Sequence, residues 1–557
     1  MRTCLSTLLL LLVSLAGYCG EPIRLDITVP MRDGTELPTT ILLPAKEGAT
    51  QGNSNQENSI KYPCVLVRQP LGKKYASPSW LQLATKGYMV AIQSTRSSCD
   101  ASGETLPYLT DGYGALQDGY DTVEWLAASP WCNGKVATIG SSATGITQLL
   151  LAPAQPPHLV CQYIEVAPPS LYDYAIWPGG QFRKEPVEGW LQTHKFAPSV
   201  LQLLKSQPTY DAFWRQFDAR KVAARVQASQ VHVGGWYDVF VQGTIDAFQT
   251  VREASNAKVR GNHKLIIGPW GHRWRNSTTF GDFAPIALAK SPPIQIEEWL
   301  DFHMKATNNH VQEAPDIQYY VMGPLDGTPS EGNKWRSAHK WPPDSILCQM
   351  YLSQNRELTS ASNEKELGTV DVIFDAANPV PTIGGRNLFL PDGPKNLAAL
   401  EKRPDVVFFT SKPLSHDTEV TGRIMARLYV SNVFTQRDVC CRLADVYPDG
   451  KSIIIAEGVT HIHPQENTSS ENTVSASDPQ PVSVDLWSTS MVFAKGHRIQ
   501  LLVSGSLFPS YDTSLAPNPD EAKEHNICFT IHNGGKYASA LSLPTPTQDH
   551  PDTHPAT

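Results

Sequence analysis

From residue 23 the chain alternates apolar and polar positions, "IRLDITVPMRDGTELPTTILLP", on both sides of Asp33-Gly34. A period of two around that turn dipeptide predicts a β-hairpin. Residues 45–60, rich in Gly, Asn, Gln and Ser, read as a surface loop. From Tyr62 short apolar runs alternate with helical spacing. Strand "PCVLVRQP", helix "PSWLQLATKG" and strand "YMVAIQST" come first, then helix "QDGYDTVEWLAAS" with Val123, Leu126 and Ala127 on one face, then strand "GKVATIG". Such alternation predicts a mostly parallel sheet, whose reactive groups gather beyond the carboxyl ends of its strands. Residues 170–225 carry Trp, Gln and Phe at helical spacing, as in "SVLQLLKSQPTYDAFWRQF", and predict a helical insertion. Strands return at "QVHVGGWYDVF" and "HKLIIGPWGH", followed by helix "IQIEEWLDFHMKA".

Beyond about residue 315 the texture changes to short β-rich runs separated by turns, among them "DIQYYVMG", "RIMARLYVSN", "SIIIAEGV" and "RIQLLVSGS". That spacing predicts an all-β sandwich or jelly roll over 316–540. The Pro/Thr-rich end, 541–557, reads as a disordered tail. At 557 residues the chain is long enough for two or three cores. A net charge of -8 argues against nucleic acid or an anionic membrane as the main partner. Arg2, the apolar run Leu8 to Val13 and the small residues Ser14 to Gly17 read as an export signal over 1–20, hence a periplasmic or secreted protein. That run is too short to span a bilayer, and no later segment has a membrane-spanning pattern. The 10 cysteines form no disulfide framework and no metal spacing; Cys64 and Cys161, inside apolar runs, read as buried thiols.

Candidate chemistry centres on "KVATIGSSATGITQLLLA", residues 135–152. A tight strand-to-helix turn needs small residues, and a serine lifted onto its tip can act as a nucleophile. The pattern G-x-S-x-x-G is weak alone, expected by chance about 0.2 times in a chain of this length. A serine also needs a base and a carboxylate that orients the base. Asp238, in "GGWYDVF", and His272, in "GPWGHRW", each follow a predicted strand, in the order Ser, Asp, His. Asp238 could equally cap the helix starting near Phe240, and His272 could be an ordinary loop residue. His461 and His463 share a strand face without a third metal ligand. Trp125, Trp131, Trp190 and Trp214 read as packing residues, Arg96 as an electrostatic support, and Glu185 and Glu188 as solvated or amine-binding carboxylates.

With these residues in view, the chain resembles the cocaine esterase and X-Pro dipeptidyl-peptidase (peptidase S15, CocE/NonD) family. The resemblance rests on "VPMRDGTEL", "GYMVAIQSTR", "DGYDTVEWLAASPWCNGKVATIGSSATG", "VGGWYDVF" and "IIGPWGH". In the C-terminal part it rests on "EVTGRIMARLYVS", "LADVYPDGKSIIIAEG" and "STSMVFAKGHRIQLLVSGSLFPSYDTS", and it runs collinearly over about residues 22–535. It implies an α/β-hydrolase domain over 21–315 with a helical cap at about 170–228, then a jelly-roll (galactose-binding-like) domain. It also implies Ser142 as nucleophile, His272 as base and Asp238 as orienting acid, with no cofactor. In this family the amide after the serine, here Ala143, joins a tyrosine hydroxyl from an R-x-P-Y loop to form the oxyanion hole. Here that loop reads Arg68-Gln69-Pro70-Leu71-Gly72-Lys73, and leucine has no side-chain donor. The alternatives are a Leu71 or Gly72 amide, or Tyr75. The expected activity is hydrolysis of a small-molecule ester, amide or peptide through an acyl-serine. Release of X-Pro dipeptides and a catalytically impaired binding scaffold are the alternatives. Oligomeric state is open, a homodimer being one option.

Overall fold

The computed structural model describes residues 21–547 apart from 46–59, 97, 99–104, 274–280, 283–288, 290, 363–366, 434–436, 465–472, 475–477 and 514–526. The expected export signal, most of the 45–60 loop and the last ten residues lie outside the described residues. The predicted hairpin forms β1 (Ile23–Pro30) and β2 (Glu36–Leu43), antiparallel with Pro30 opposite Glu36. The Asp33 carboxylate accepts the Thr35 amide at 3.1 Å, and Gly34 takes φ 86°, a left-handed value suited to glycine.

The αβ pattern yields β3 (Tyr62–Gln69), β4 (Met89–Ser94), β5 (Cys132–Ser141), β6 (Leu159–Glu165), β7 (Ser229–Tyr237) and β8 (Lys264–Gly271). They join β9 (Ile317–Val321) and β10 (Lys334–Ala338) in one ten-stranded sheet of order β1-β2-β4-β3-β5-β6-β7-β8-β9-β10. From β4 to β9 every neighbouring pair is parallel. Alternate residues of β3 bury opposite faces. Val65 and Val67 pack with Trp299 and Leu300 of the Ile296–Lys305 helix. Cys64 and Leu66 pack with Leu126 of the Asp118–Ala128 helix and Leu151 of the Ala143–Leu151 helix. Strands covered on both faces read as unbroken apolar runs, which is why they were visible in the sequence. The sheet extends past residue 315, because "DIQYYVMG" supplies β9; an apolar run does not reveal which sheet it joins.

Residues 170–228 carry helices at Lys184–Thr193, Pro198–Lys205 and Ala212–Arg215. From Ser345 onward the described chain is mostly strands, the longest being Thr418–Ser431 and Gln480–Phe493, paired antiparallel. The last strand, Ala540–Pro546, pairs with Ser345–Leu352 and so occupies residues that the Pro/Thr-rich composition assigns to a disordered tail. Leu541 and Leu543 are fully buried there, and that alternation outweighs the prolines. The two halves share one apolar core, with Trp236 and Ile245 in the same cluster as Trp487 and Met491. Met322 and Val492 exchange backbone hydrogen bonds with the facing strand across this junction. Cys64 and Cys161 are buried free thiols, as expected.

Candidate active site

Because β5, β7 and β8 run parallel in one sheet, the turns that follow them open at the same edge. Ser142 sits at the first of these turns, between β5 and the Ala143–Leu151 helix, with φ 55° and ψ -121°. Non-glycine residues rarely adopt such a backbone, and it lifts the side chain off the sheet. Two glycines make the turn feasible. A Cβ on Gly145 would meet the Ala167 Cβ at 2.5 Å, and one on Gly140 would meet the Thr144 hydroxyl at 2.3 Å. The carbonyl of Ser142 then accepts the Gly145 and Ile146 amides at 2.8 and 2.9 Å, starting the helix.

The hydroxyl of Ser142 lies 2.9 Å from His272 Nε2, and His272 Nδ1 lies 2.5 Å from Asp238 Oδ1. Three residues 34 and 130 positions apart are thus joined in one hydrogen-bonded chain. Asp238 is fully buried in the turn after β7, and the His272 side chain is only 7% exposed. The other carboxylate oxygen, Oδ2, accepts the Phe240 amide at 3.1 Å. That bond closes the turn ahead of the Val241–Ala254 helix, whose N-cap is Phe240 with no side-chain cap bond, so Asp238 does not cap the helix. Phe240 also packs edge-on against the His272 ring at 5.4 Å.

Ser142 opens onto a narrow cavity of about 70 Å³ bordered by Tyr108, Ile146, Leu171, Val187, Trp190 and Leu388, among others. Among the described residues no Asp, Glu, Lys or Arg borders it. Besides Ser142, only Tyr108 and Trp190 among its lining residues carry a side-chain hydrogen-bond donor. Burial, with a smaller push from the nearby Asp111 carboxylate, raises the Tyr108 phenol well above its ordinary value, so it stays protonated. The Tyr108 loop is tied to β3 by the buried ion pair of Asp111 with Arg68, 2.5 Å.

The loop after β3 offers no idle backbone donor at the positions weighed from sequence. The Leu71 amide donates to Gln69 Oε1 at 3.2 Å and the Gly72 amide to the Gln69 carbonyl at 3.1 Å. Tyr75 is 47% exposed and packs against His194. In this structure the Leu71 N–H is therefore engaged within its own turn rather than presented as an open donor. The Ala143 amide, by contrast, is the first of a helix, where N–H groups have no partner within the helix.

The remaining candidates take structural places. Arg96 joins Asp33 and Asp118, each at 2.7 Å, clamping the hairpin turn to the Asp118–Ala128 helix. Glu185 is buried and accepts the Leu388, Phe389 and Leu390 amides, while Glu188 pairs with Lys184 and Lys205. His461 is bound to Asp438 at 2.7 Å. Trp214 is fully buried, Trp125 and Trp131 pack on the core, and Trp190 lines the cavity. Sequence reasoning missed Tyr108, Leu388 and Asp392, whose carboxylate overhangs Gly271 beside His272. Burial raises the Asp392 carboxyl, against the opposing pull of His272 and Arg273.

Residues 33–199 and 188–274 match the sequence profile of X-Pro dipeptidyl-peptidase (S15 family). Residues 309–542 match that of the X-Pro dipeptidyl-peptidase C-terminal non-catalytic domain. The chain is similar to cocaine esterase of Rhodococcus sp. (strain MB1 Bresler), 27% identical over 593 residues that cover 93% of this chain and 98% of that protein. In fold it is similar to an α-amino acid ester hydrolase, with TM-score 0.74 and 20% identity over 96% of this chain and 98% of that one. A CocE/NonD family hydrolase from Staphylococcus aureus gives TM-score 0.70 and 19% identity over 93% of each chain.

Proposed function

The chain belongs to the X-Pro dipeptidyl-peptidase (S15) family of hydrolases, and from that premise we propose that it is a serine esterase acting on small esters with an apolar acyl group. One observation carries the reading: the Ser142–His272–Asp238 hydrogen-bonded chain opens on a pocket whose described wall residues are all uncharged. His272 Nε2 takes the Ser142 proton as Oγ attacks the ester carbon, and then passes it to the departing alcohol. Water repeats the cycle on the acyl-serine and releases the acid. Asp238 Oδ1 accepts from Nδ1–H, holding the tautomer that leaves Nε2 free as a base. No step calls for a cofactor. On the same reading the helices of 170–228 act as a cap, since Leu171, Val187 and Leu204 line the pocket, and the strand-rich half is a jelly-roll domain.

The negative charge on the tetrahedral intermediate needs two donors. The Ala143 amide, at the head of its helix, is one. We assign the other to the hydroxyl of Tyr108, a residue that borders the same cavity as Ser142 and Ala143. It would replace the tyrosine that the resemblance leads one to expect at Leu71.

Dipeptide release is the weaker reading. An exopeptidase must anchor a substrate ammonium, and the two carboxylates weighed for it from sequence are engaged, Glu185 by loop amides and Glu188 by lysines. The test compares p-nitrophenyl butyrate and benzoate with Ala-Pro-p-nitroanilide, free and N-acetylated. Ester turnover without free-amine-dependent anilide cleavage is expected. Efficient anilide cleavage that demands the free amine would replace this reading with the exopeptidase one.

A further inference from the structure

A second cavity, of about 320 Å³, lies where residues 173–183 meet the strand-rich half, and it is separate from the Ser142 pocket. Four guanidinium groups border it. Two are neutralised: Arg220 is bound by Asp218 and Asp173, and Arg423 by Asp485 at 2.5 Å with Asp246 at 3.7 Å. The other two differ. Arg183 and Arg386 are 2% and 3% exposed and lie over the same indole ring, that of Trp487, at 5.5 and 4.9 Å.

Arg183 gives its hydrogen bonds only to carbonyls, those of Tyr174 (3.2 Å), Val239 (2.6 Å) and Arg386 (3.0 Å). Arg386 Nη2 likewise serves the carbonyls of Glu457 and Leu486, and the Glu457 carboxylate stands 3.8 Å from Arg386 Nε. One carboxylate is thus set against two buried cations. Arg183 Nε and Arg386 Nη1 are buried with no hydrogen-bond partner among the described residues. Buried guanidinium N–H groups are costly when unpaired, and an uncompensated buried charge costs more. A single negative charge that can accept two N–H bonds would suit two cations that have, among the described residues, one carboxylate, that of Glu457, within 4 Å. A carboxylate does this with its two oxygens. Glu457, Asp485 and Asp173 on the same walls disfavour ligands with higher negative charge.

We propose that this cavity binds a small monocarboxylate over Trp487, drawn to the paired guanidinium groups of Arg183 and Arg386 on its wall. The site is independent of the serine chemistry, although Arg183 also holds the carbonyl of Val239, next to Asp238, so occupancy is positioned to be felt at the acid's turn.

The test is calorimetric titration of the full chain with sodium benzoate at constant ionic strength in chloride, followed by photolabelling with 4-azidobenzoate and peptide mapping. Saturable binding is expected with label on residues 458–460 or 487, whether or not the Ser142 pocket is labelled as well, and with that labelling at least tenfold weaker in Arg386→Lys, which keeps the charge and loses the fork. No binding above chloride would overturn the proposal, as would label confined to the peptides around Ser142 or equal competition by phosphate. The mapping uses the unmodified chain, so it decides the matter even if Arg386→Lys does not fold.

Discussion

Replacing Tyr108 by Phe removes one hydroxyl and nothing else. The ring stays in the apolar cluster with Leu106, Ile146 and Leu171, so the fold should lose no more than about 1 kcal/mol. The catalytic cost is larger. With Leu71 and Gly72 engaged in their own turn, Ala143 would be left as the sole donor to the oxyanion. Losing one donor of such a pair costs roughly 10²–10³ in kcat, about 2.7–4 kcal/mol of transition-state stabilisation. The loss should fall on kcat rather than KM, because the ground-state carbonyl oxygen carries little of the charge. Steady-state hydrolysis of p-nitrophenyl butyrate separates the two constants, and a thermal melt checks the fold. Adding Leu71→Tyr to Tyr108→Phe should recover part of the loss, since it restores a phenol at the family's usual position. A Tyr108→Phe enzyme with kcat within about threefold of the parent, far from the loss a missing donor causes, would refute the assignment. The same experiment on Trp190→Phe would then identify the other donor in the pocket.

Asp238→Asn should lower kcat by about 10⁴, because an amide there favours the tautomer that presents Nε2–H to the serine. A pH–rate profile of the residual activity checks that chemistry rather than folding is affected. Glu185→Gln puts an NH₂ donor where three amides converge, costing about 1–3 kcal/mol of stability. Because Leu388 borders the pocket, KM should rise with the loosened loop; an unchanged KM in a destabilised protein would separate the loop from substrate binding. His263 is buried, its pKa lowered to about 4 chiefly by desolvation, with Arg252 adding to it. The unfolded chain therefore binds a proton there that the fold refuses, and stability falls as pH drops from about 6.5 towards 4, by up to about 1.4 kcal/mol per unit. Urea midpoints of the parent and His263→Asn over that range should show a shallower decline in the variant, all shared groups cancelling; equal slopes would contradict it.

The parts of this molecule legible in sequence were those with short-range causes. Asp33-Gly34 and its flanking alternation specify a hairpin locally, and the β5 turn betrays itself because Gly140 and Gly145 are needed where strand and helix crowd. Asp238 and His272 were visible because each directly follows a strand whose apolar run is continuous. Of the two readings of Asp238, cap or partner of histidine, the structure shows the contact with histidine, the helix being capped at Phe240 without a side-chain bond. What escaped is what depends on distant packing. Tyr108 lies in a loop with no periodicity, and the buried Arg68–Asp111 pair fixes that loop against β3. Leu388 and Asp392 reach the site from the other half of the chain. The Leu71 amide looked available until its bond to Gln69 was seen. The "LSLP" alternation at 541–544 carries a strand signal, but neighbouring prolines and threonines obscured it.

The central claim is that Ser142 is a nucleophile made reactive by His272 and Asp238. Incubating the folded chain with a fluorophosphonate and sequencing the labelled peptide by mass spectrometry tests it directly. The account predicts stoichiometric phosphonylation on Ser142, abolished in Ser142→Ala and greatly slowed in Asp238→Asn. A folded, ester-hydrolysing protein that stays unlabelled, or carries its label on another residue, would contradict it.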